Sequence, residues 1–315
     1  TNPMCVAPEL DKVRRGFARE DLFVCMHEQF LTETAQMADV MLPATMFLEH
    51  DDIYQASGHT RMQIARKIFE PHGQCRTNHF VICELARRLG APPHPGFAMT
   101  EWQLIDDLLQ RSGWPDAATV DAAGGFEAMP DYRTAHHLDG FPTPSGRFQY
   151  KPDWSRLGRD HARMPKLPDH FAIIDEIDEG RPFRLVAAPA RNFLNTSFTE
   201  MATSVRREGR PTVLVHPEDA ARLGIGAGDR VRLGNERGTV VLHALLKDGQ
   251  QRGVLVVESI WPNAAFEEGL GINALISAEA APPGGGAVFH DTAVWLRKEP
   301  VASAVEARRQ ELVPA

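Results

Sequence analysis

A carboxylate and an imidazole stand directly after a short apolar run near the start of the chain. The run covers residues 22–26, LFVCM, and the pair that follows it is His27-Glu28. A polar pair after a strand is commonly solvated loop. A carboxylate at this place can also accept paired hydrogen bonds from a guanine edge or a ribose hydroxyl. The pair is therefore a candidate for contact with a nucleotide.

Residues of the metal-ligating types occur without the spacing that a metal site needs. Residues 49–52, EHDD, are adjacent carboxylates and a histidine, a pattern that is mostly solvated. His136-His137 has no third ligand at useful spacing. The cysteines form no C-x-x-C pair, which argues against a disulfide framework or an iron–sulfur cluster held by these residues alone: Cys5, Cys25, Cys75 and Cys83.

Composition limits the classes of function. With 315 residues the chain is long enough for two domains, and its 43% hydrophobic and 24% charged residues are typical of globular protein. The net charge of −8 argues against a nucleic-acid partner or an anionic membrane surface, since both need dense positive charge. No apolar run approaches the roughly 20 residues of a membrane span.

The elements that position His27-Glu28 resemble a strand–helix–strand unit. Thr32-Glu33-Thr34 has helix-start chemistry, and a second apolar run at residues 40–42 stops at Pro43. Ligands of such units usually sit beyond the carboxyl ends of the strands, where His27-Glu28 lies. Residues 53–76 are polar and extended, and the predicted helices are Pro8–Arg19, Phe80–Leu89 (with Thr77 or Asn78 as N-cap) and Glu101–Arg111.

The second half of the chain is predicted to be rich in strands. From Pro115 to about His170 scattered Pro and Gly indicate an irregular linker with one short strand at Arg147–Tyr150. A short helix begins after His216, and the tail from Glu299 is predicted to be helical or frayed. The later spacing of strands favours a closed barrel, with strands at Arg184–Ala188, Thr212–Val215, Asp229–Leu233, Gly238–Leu246, Gly253–Ser259 and Ala287–Leu296.

Several motifs, in one order, resemble a known family. Glu28 is followed by F-x-T-x-T-A at 30–35, by A-D-V-x-L-P-A at 38–44 and by Glu49. Residues 216–238 run from H-P-E-D-A through L-G-I and V-R-L to N-x-R-G. This succession resembles the large subunits of molybdopterin oxidoreductases of the dimethyl-sulfoxide-reductase and formate-dehydrogenase type.

The resemblance implies a fold and a division of the chain. The fold class is α/β, with a Rossmann-like three-layer α/β portion at 1–135, a linker at 136–182 and a double-psi β-barrel at 183–315 that binds the molybdopterin dinucleotide. The chain opens on Thr1-Asn2-Pro3, so we interpret it as the C-terminal portion of a longer polypeptide. The metal's protein ligand and a 4Fe-4S cluster are expected in the preceding region.

The resemblance also implies which residues contact the bis-molybdopterin guanine dinucleotide. Asn2 and Asn78 have local alternatives as turn and cap residues. The loop at 191–197 matches the family's Arg-x-x-x-His/Asn-Thr segment. Residues 269–275 resemble its Gly-x-x-Asn-x-Leu segment, with one more residue between Gly269 and Asn273, and His290 stands where the family usually has Lys. The predicted cofactor-binding residues are Asn2, His27, Glu28, His50, Asn78, Arg191, Asn195, Thr196, Ser197, Asn273 and His290.

The function that follows is that of the cofactor-binding half of a molybdenum or tungsten oxidoreductase. It transfers an oxygen atom or a hydride on a small-molecule substrate, with an electron-transfer subunit as partner and a cytoplasmic location. The alternative is a non-catalytic molybdopterin-binding or assembly subunit. A nicotinamide-dependent enzyme would need a Gly-rich strand-to-helix turn, which residues 1–100 do not contain.

Overall fold

A computed structural model describes residues 2–151, 153–154, 164, 175–281 and 286–300. Most of the predicted linker's second half and the tail beyond 300, predicted to be helical or frayed, lie outside these residues. Within them the helices are α1 Pro3–Val6, α2 Leu10–Phe17, α3 Asn78–Leu89, α4 Glu101–Arg111, α5 Ala117–Ala122, α6 Tyr132–Ala135, α7 Ala202–Glu208 and α8 Pro217–Arg222.

The strands are short in the first half of the chain and longer in the second. They are β1 Cys25–Glu28, β2 Val40–Pro43, β3 Asp52–Gln55, β4 Arg61–Ala65, β5 Phe126–Glu127, β6 Phe183–Ala188, β7 Thr212–Val215, β8 Arg230–Gly234, β9 Thr239–Leu246, β10 Val254–Glu258, β11 Ala280–Ala281, β12 Gly286–Ala287 and β13 Thr292–Lys298.

Two units divide these elements. The barrel unit comprises Thr1–Leu22 with Tyr150–Ala315, and the α/β unit comprises Phe23–Gln149. The sequence assigned residues 1–22 to the α/β portion, whereas in the structure their contacts are with the barrel. Two hydrogen bonds join this segment to the barrel unit. The backbone N–H of Glu9 donates to the carbonyl of Ile276 at 3.0 Å, and the Arg14 side chain donates to the carbonyl of Gly269 at 2.9 Å.

The barrel is closed by six strands in the order β10-β6-β13-β8-β9-β7. Two of its pairs are parallel, β10 with β6 and β7 with β9, and the others are antiparallel. Alternate residues of these strands point inward, so Leu185, Val213, Leu233 and Leu255 are completely buried in one apolar core. This core holds fixed the strand ends and loops described below.

Gly234 is required where β8 meets β13. A Cβ atom at this position would lie 2.5 Å from Cζ2 of Trp295 and 2.9 Å from Cγ2 of Thr239. Because both neighbours are fixed by strand pairing, Gly234→Ala is expected to lower the free energy of unfolding by about 1–3 kcal/mol. Urea denaturation measures this change. Gly16→Ala is the matched control, since nothing lies within 4 Å of that site in α2 and alanine favours helix. Equal stability of both variants would contradict the prediction.

The α/β unit contains a parallel pair and a three-stranded antiparallel sheet. β1 runs parallel to β2 with Cys25 opposite Val40, and the sheet order of the other strands is β3-β4-β5. Helix α4 formed with the predicted bounds, and a capping box between Thr100 and Gln103 fixes its start. It buries Ile105 and Leu109 against the antiparallel sheet, while Leu108 is half exposed.

Two local predictions were wrong. No α-helix begins at Thr32–Thr34; a single 3-10 turn, Ala35–Met37, connects β1 to β2. The Thr32 hydroxyl accepts the N–H of Ala35 at 3.2 Å, as a helix N-cap does, but the turn that follows is only three residues long. Arg147–Tyr150 forms no strand.

Part of the predicted irregular segment after Pro115 is regular. Helices α5 and α6 form in it, and β5 pairs with β4. The cause is N-capping, since the carboxylate of Asp116 accepts the N–H of Thr119 at 2.7 Å and that of Asp131 accepts the N–H of Arg133 at 3.0 Å.

The fold class is therefore confirmed as mixed α/β, with an α/β portion followed by a closed six-stranded β-barrel. No helix in the described ranges is long and apolar enough to cross a membrane.

Candidate functional site

Three parallel segments of the α/β unit end at one edge. The third segment is the backbone at Arg76, which forms a parallel bridge with Ala44, just after β2. Its N–H donates to the carbonyl of Pro43 at 3.0 Å. Ring nitrogen Nε2 of His27 lies 3.1 Å from the carbonyl of Arg76. Carboxyl ends of adjacent parallel segments are the usual ligand position in α/β units.

The predicted residues of this unit all lie along that edge. Glu28 ends β1, and within the described part of the chain its carboxylate accepts only its neighbour's N–H, from Gln29 at 2.8 Å. His50 is joined to the end of β2, because its Nδ1 lies 2.9 Å from the hydroxyl of Thr45. Asn78 begins α3 immediately after the Arg76 segment. The structure thus brings His27, Glu28, His50 and Asn78 to a common edge.

Asn78 is not needed as a helix cap. The sequence allowed Thr77 or Asn78 in this role, and the hydroxyl of Thr77 accepts the N–H of Phe80 at 3.2 Å. The Asn78 side chain is exposed and makes no hydrogen bond within the described residues. Its amide is therefore available to a ligand.

A cavity of about 330 Å³ opens in the barrel unit where β6 and β10 end. These strands are parallel, so their carboxyl ends lie side by side, and the N–H of Ser259 donates to the carbonyl of Ala188 at 2.7 Å. The volume falls at the lower end of the range of about 300–1,000 Å³ for small-molecule pockets. The lining residues are Val6, Ala187, Ala188, Pro189, Leu194, Asn195, Ser259, Ile260, Asn273, Phe289 and His290.

Three predicted cofactor residues meet in this cavity: Asn195, Asn273 and His290. Asn195 has a left-handed backbone, with φ of 51°, inside a tight turn closed by the N–H of Ser197 donating to the carbonyl of Leu194 at 2.8 Å. Thr196 belongs to the same turn. Arg191, Thr196 and Ser197 do not line the cavity, and Arg191 and Ser197 are exposed.

Buried asparagines fix the wall of the cavity. The Nδ2 of Asn273 donates to the carbonyl of Cys5 in α1 at 2.8 Å. Asn2, the N-cap residue of α1, is buried, and its Nδ2 lies 3.4 Å from the thiol of Cys5. Asn263 donates to the carbonyl of Met4 at 2.6 Å and accepts the N–H of Gly271 at 2.7 Å. Asn2 therefore supports the cavity wall and is not among the lining residues.

Gly271 is required by a close neighbour within the protein. In the structure a Cβ atom at Gly271 would lie 2.8 Å from Oδ1 of Asn263. The close neighbour is thus a side chain of the same unit.

Sequence reasoning missed Ser259 and Asn263. Ser259 directly follows β10, which was predicted as Gly253–Ser259 and formed as Val254–Glu258, but the strand that pairs with β10 could not be read from the chain. Its buried Oγ and the Oδ1 of Asn273 have no hydrogen-bond partner within the described part of the chain. Unpaired buried polar atoms are rare in folded proteins and mark places where a ligand can bind.

Charged groups elsewhere on the barrel are paired with each other. Arg232 bonds the carboxylates of Glu268 and Glu299 at 2.7 and 2.9 Å. The hydrogen bond from Arg232 lowers the pKa of Glu299 below its ordinary value. Across the described residues, no three His, Cys, Asp or Glu side chains cluster as a metal site. The cavity itself presents amide, hydroxyl and imidazole groups between apolar walls.

Neutral amide and hydroxyl groups between apolar walls suit a flat, hydrogen-bonding heterocycle. The two unpaired buried oxygens give this fit a structural basis. The barrel cavity and the strand-end edge of the α/β unit each have the features of a nucleotide-cofactor site, which defines the class as a cofactor-binding protein.

Two family models match the chain. Residues 183–293 match "Molydopterin dinucleotide binding domain", and residues 1–88 match "Molybdopterin oxidoreductase". Probable oxidoreductase YoaE of Bacillus subtilis is 33% identical over 95% of this chain and 43% of the relative. Formate dehydrogenase H of Escherichia coli is 27% identical over 85% of this chain and 36% of the relative.

The dimethyl sulfoxide/trimethylamine N-oxide reductase of Rhodobacter capsulatus is 27% identical over 85% of this chain and 36% of that enzyme. Among solved structures, acetylene hydratase from Pelobacter acetylenicus has a TM-score of 0.75 at 21% identity, covering 95% of this chain and 43% of that one. The chain thus spans less than half the length of these relatives.

The chain belongs to the molybdopterin oxidoreductase family. Its C-terminal barrel matches the molybdopterin dinucleotide-binding domain of that family, so the cofactor is of the molybdopterin dinucleotide class.

Proposed function

We propose that this chain holds the cofactor of a molybdenum or tungsten oxidoreductase that transfers an oxygen atom or a hydride on a small substrate. The observation that carries the proposal is the barrel cavity, in which Asn195, Asn273 and His290 meet beside two unpaired buried oxygens. The likeness of the sequence to dimethyl sulfoxide, trimethylamine N-oxide and formate enzymes supports a small polar substrate.

In the barrel the chain binds and orients. Asn273 offers its Oδ1 as an acceptor, and His290 offers a ring that can donate or accept. Ile260 and Phe289 form apolar walls that exclude water from the faces of a flat ring. Asn195, held in its tight turn, adds an amide at the opening. Together these groups can fix the tilt and depth of the bound heterocycle.

In the α/β unit the chain recognises the nucleotide end. The Glu28 carboxylate accepts donors from a guanine edge or ribose hydroxyls, and the exposed amide of Asn78 supplies both a donor and an acceptor. His27 and His50 are oriented by the Arg76 carbonyl and the Thr45 hydroxyl. Both histidines can therefore present a defined ring edge to phosphate or ribose.

When bound, the metal centre supplies the redox chemistry, because it changes oxidation state during the transfer. The residues of this chain act on that chemistry through orientation and through the neutral, largely apolar surroundings that they provide.

Cofactor release tests the proposal. Protein purified from a host that synthesises the cofactor is expected to release guanine nucleotide together with molybdenum or tungsten on denaturation, as measured by mass spectrometry and metal analysis. The same protein from a strain blocked in molybdopterin synthesis is the control and should release neither. Absence of both from the first preparation would refute the proposal.

A turnover assay distinguishes the enzyme from the alternative, a non-catalytic assembly subunit. If the full-length protein carries the cofactor but does not reduce dimethyl sulfoxide or trimethylamine N-oxide and does not oxidise formate, the result supports cofactor binding without catalysis. Activity with one of these substrates supports the enzyme.

A further inference from the structure

Helix α3 carries an exposed apolar stripe, formed by Ile82, Leu85 and Leu89. At about 100° per residue, the three side chains fall within an arc of about 60° on one side of the helix. They are 57%, 46% and 81% exposed, and none of the 12 residues of α3 is buried. A helix of this length normally owes its stability to the burial of such a stripe in a protein core.

The charged residues of α3 lie on its other sides. Glu84 pairs with Arg87 at 2.8 Å and with Arg88 at 3.5 Å. Arg87 lies about 180° around the helix from the middle of the apolar stripe. The helix therefore has the usual division into a water-facing side and a core-facing side. Within the described part of the chain, it is the core-facing side that is left exposed.

The parallel pair of β1 and β2 also has an open face. Cys25 lies opposite Val40 in the register, so the two side chains share one face of the pair. Both are exposed, Val40 by 40%. Parallel strands are almost always covered on both faces. The α/β unit thus has two surfaces, one on a helix and one on a sheet, where a covering layer is expected.

The chemistry of the two surfaces and the length of the relatives indicate what covers them. Neither the apolar stripe nor the open face includes a charged side chain, which is typical of permanent contacts and not of transient ones. This chain spans less than half the length of its relatives, and its fold occurs within one longer chain in the acetylene hydratase structure. A covering layer in the same polypeptide is therefore the occupant that these observations favour.

We propose that the apolar stripe of α3 and the open face of β1 and β2 are permanently covered by the part of the full-length protein that lies outside these 315 residues. That part supplies apolar side chains to both surfaces, and the α/β unit reaches its full stability only in contact with it. The inference concerns packing and does not depend on the proposed cofactor-binding function.

Cysteine scanning of the full-length protein tests the proposal on α3. Ile82→Cys and its matched control Arg87→Cys are treated with iodoacetamide, and peptide mass spectrometry follows the introduced thiol in native and in urea-unfolded protein. The two positions are similarly exposed in this structure, at 57% for Ile82 and 65% for the Arg87 side chain. Native Ile82→Cys should nevertheless react at least about 10-fold more slowly than native Arg87→Cys, because a covered thiol reacts only when the contact opens locally. Unfolding in urea should make the two rates equal.

Two further thiols extend the test. Leu85→Cys should be protected as Ile82→Cys is, and it decides the result if Ile82→Cys does not fold. Cys25 tests the open sheet face without any substitution: in native wild-type protein it should react at least about 10-fold more slowly than in unfolded protein.

Three results would overturn the proposal. The first is rapid modification of Cys25 in the native protein, or native rates at Ile82→Cys and Leu85→Cys that match the rate at Arg87→Cys. The second is protection that is lost on dilution while the mass measured by light scattering falls to half, which assigns these surfaces to a second copy of the protein. The third is protection that disappears when a copurified subunit is removed, which assigns them to a separate partner.

Discussion

Replacing Asn263 by alanine is expected to lower the free energy of unfolding by about 2–5 kcal/mol, because two buried backbone groups lose their partners. These groups are the carbonyl of Met4 and the N–H of Gly271, at 2.6 and 2.7 Å from the amide. Asn263 is 7% exposed, so water cannot easily replace the lost bonds. Urea denaturation of the variant and the wild type measures the change.

Asn78→Ala is the matched control, because it removes the same amide from an exposed helix start that Thr77 already caps. Its stability should lie within about 0.5 kcal/mol of the wild type. If Asn263→Ala is equally mild, the buried amide does not join α1 to the cavity turn.

Gly271→Ala gives an independent check of the same contact. The added methyl group would lie 2.8 Å from Oδ1 of Asn263 and must displace that side chain. We expect a loss of stability of about 1–3 kcal/mol in the wild-type background and a smaller one in Asn263→Ala, where the neighbour is absent. Equal losses in the two backgrounds would show that the two residues are not coupled.

Local signals in the sequence predicted much of the fold. The helix Glu101–Arg111, with its capping box at Thr100, and the strand Thr212–Val215 formed with the predicted bounds, because each depends on residues close together in the chain. The helix start at Thr32–Thr34 was wrong in its extent, since the Thr32 hydroxyl caps only a three-residue 3-10 turn. Residue propensity alone does not distinguish a cap that opens a full helix, as at Thr100, from a cap that opens a single turn, as at Thr32.

The candidate site was predictable only where a motif marked it. Asn195, Asn273 and His290 were proposed from the resemblance, and the structure brings them into one cavity. Ser259 and Asn263 could not be found in this way. The position of Ser259 depends on the parallel pairing of β10 with β6. The role of Asn263 depends on its hydrogen bond to Met4 in α1, which lies 259 positions earlier in the chain. Such long-range pairings leave no local signal.

The second large effect is expected at a charged clamp beside the cavity, formed by Asp175 and Arg237. The guanidinium Nη1 of Arg237 lies 2.9 Å from Oδ2 of Asp175. The side chain of Asp175 is 15% exposed and that of Arg237 is 14% exposed. Arg237 also donates to the carbonyl of Leu275 at 3.2 Å, and Asp175 accepts the N–H of Ala293 at 3.2 Å. The pair thus connects the Asn273 turn to the segment that follows His290.

Arg237→Met keeps the bulk of the side chain and leaves the Asp175 carboxylate unpaired in a poorly hydrated place. We expect it to lower the free energy of unfolding by about 2–4 kcal/mol, somewhat less than the removal of one partner from a fully buried pair. Asp175→Asn should cost less, since the amide oxygen can still accept the N–H of Ala293.

The double variant decides whether the pair itself is responsible. Because Arg237→Met and Asp175→Asn remove the same interaction, their combined loss should be smaller than the sum of the single losses by about 1–3 kcal/mol. The coupling should persist in 1 M salt, since shielded charges are screened less than exposed ones. Additive losses would mean that Leu275 and Ala293 are held by other contacts, with Asn235, which donates to the Leu275 carbonyl at 2.9 Å, as the remaining clamp.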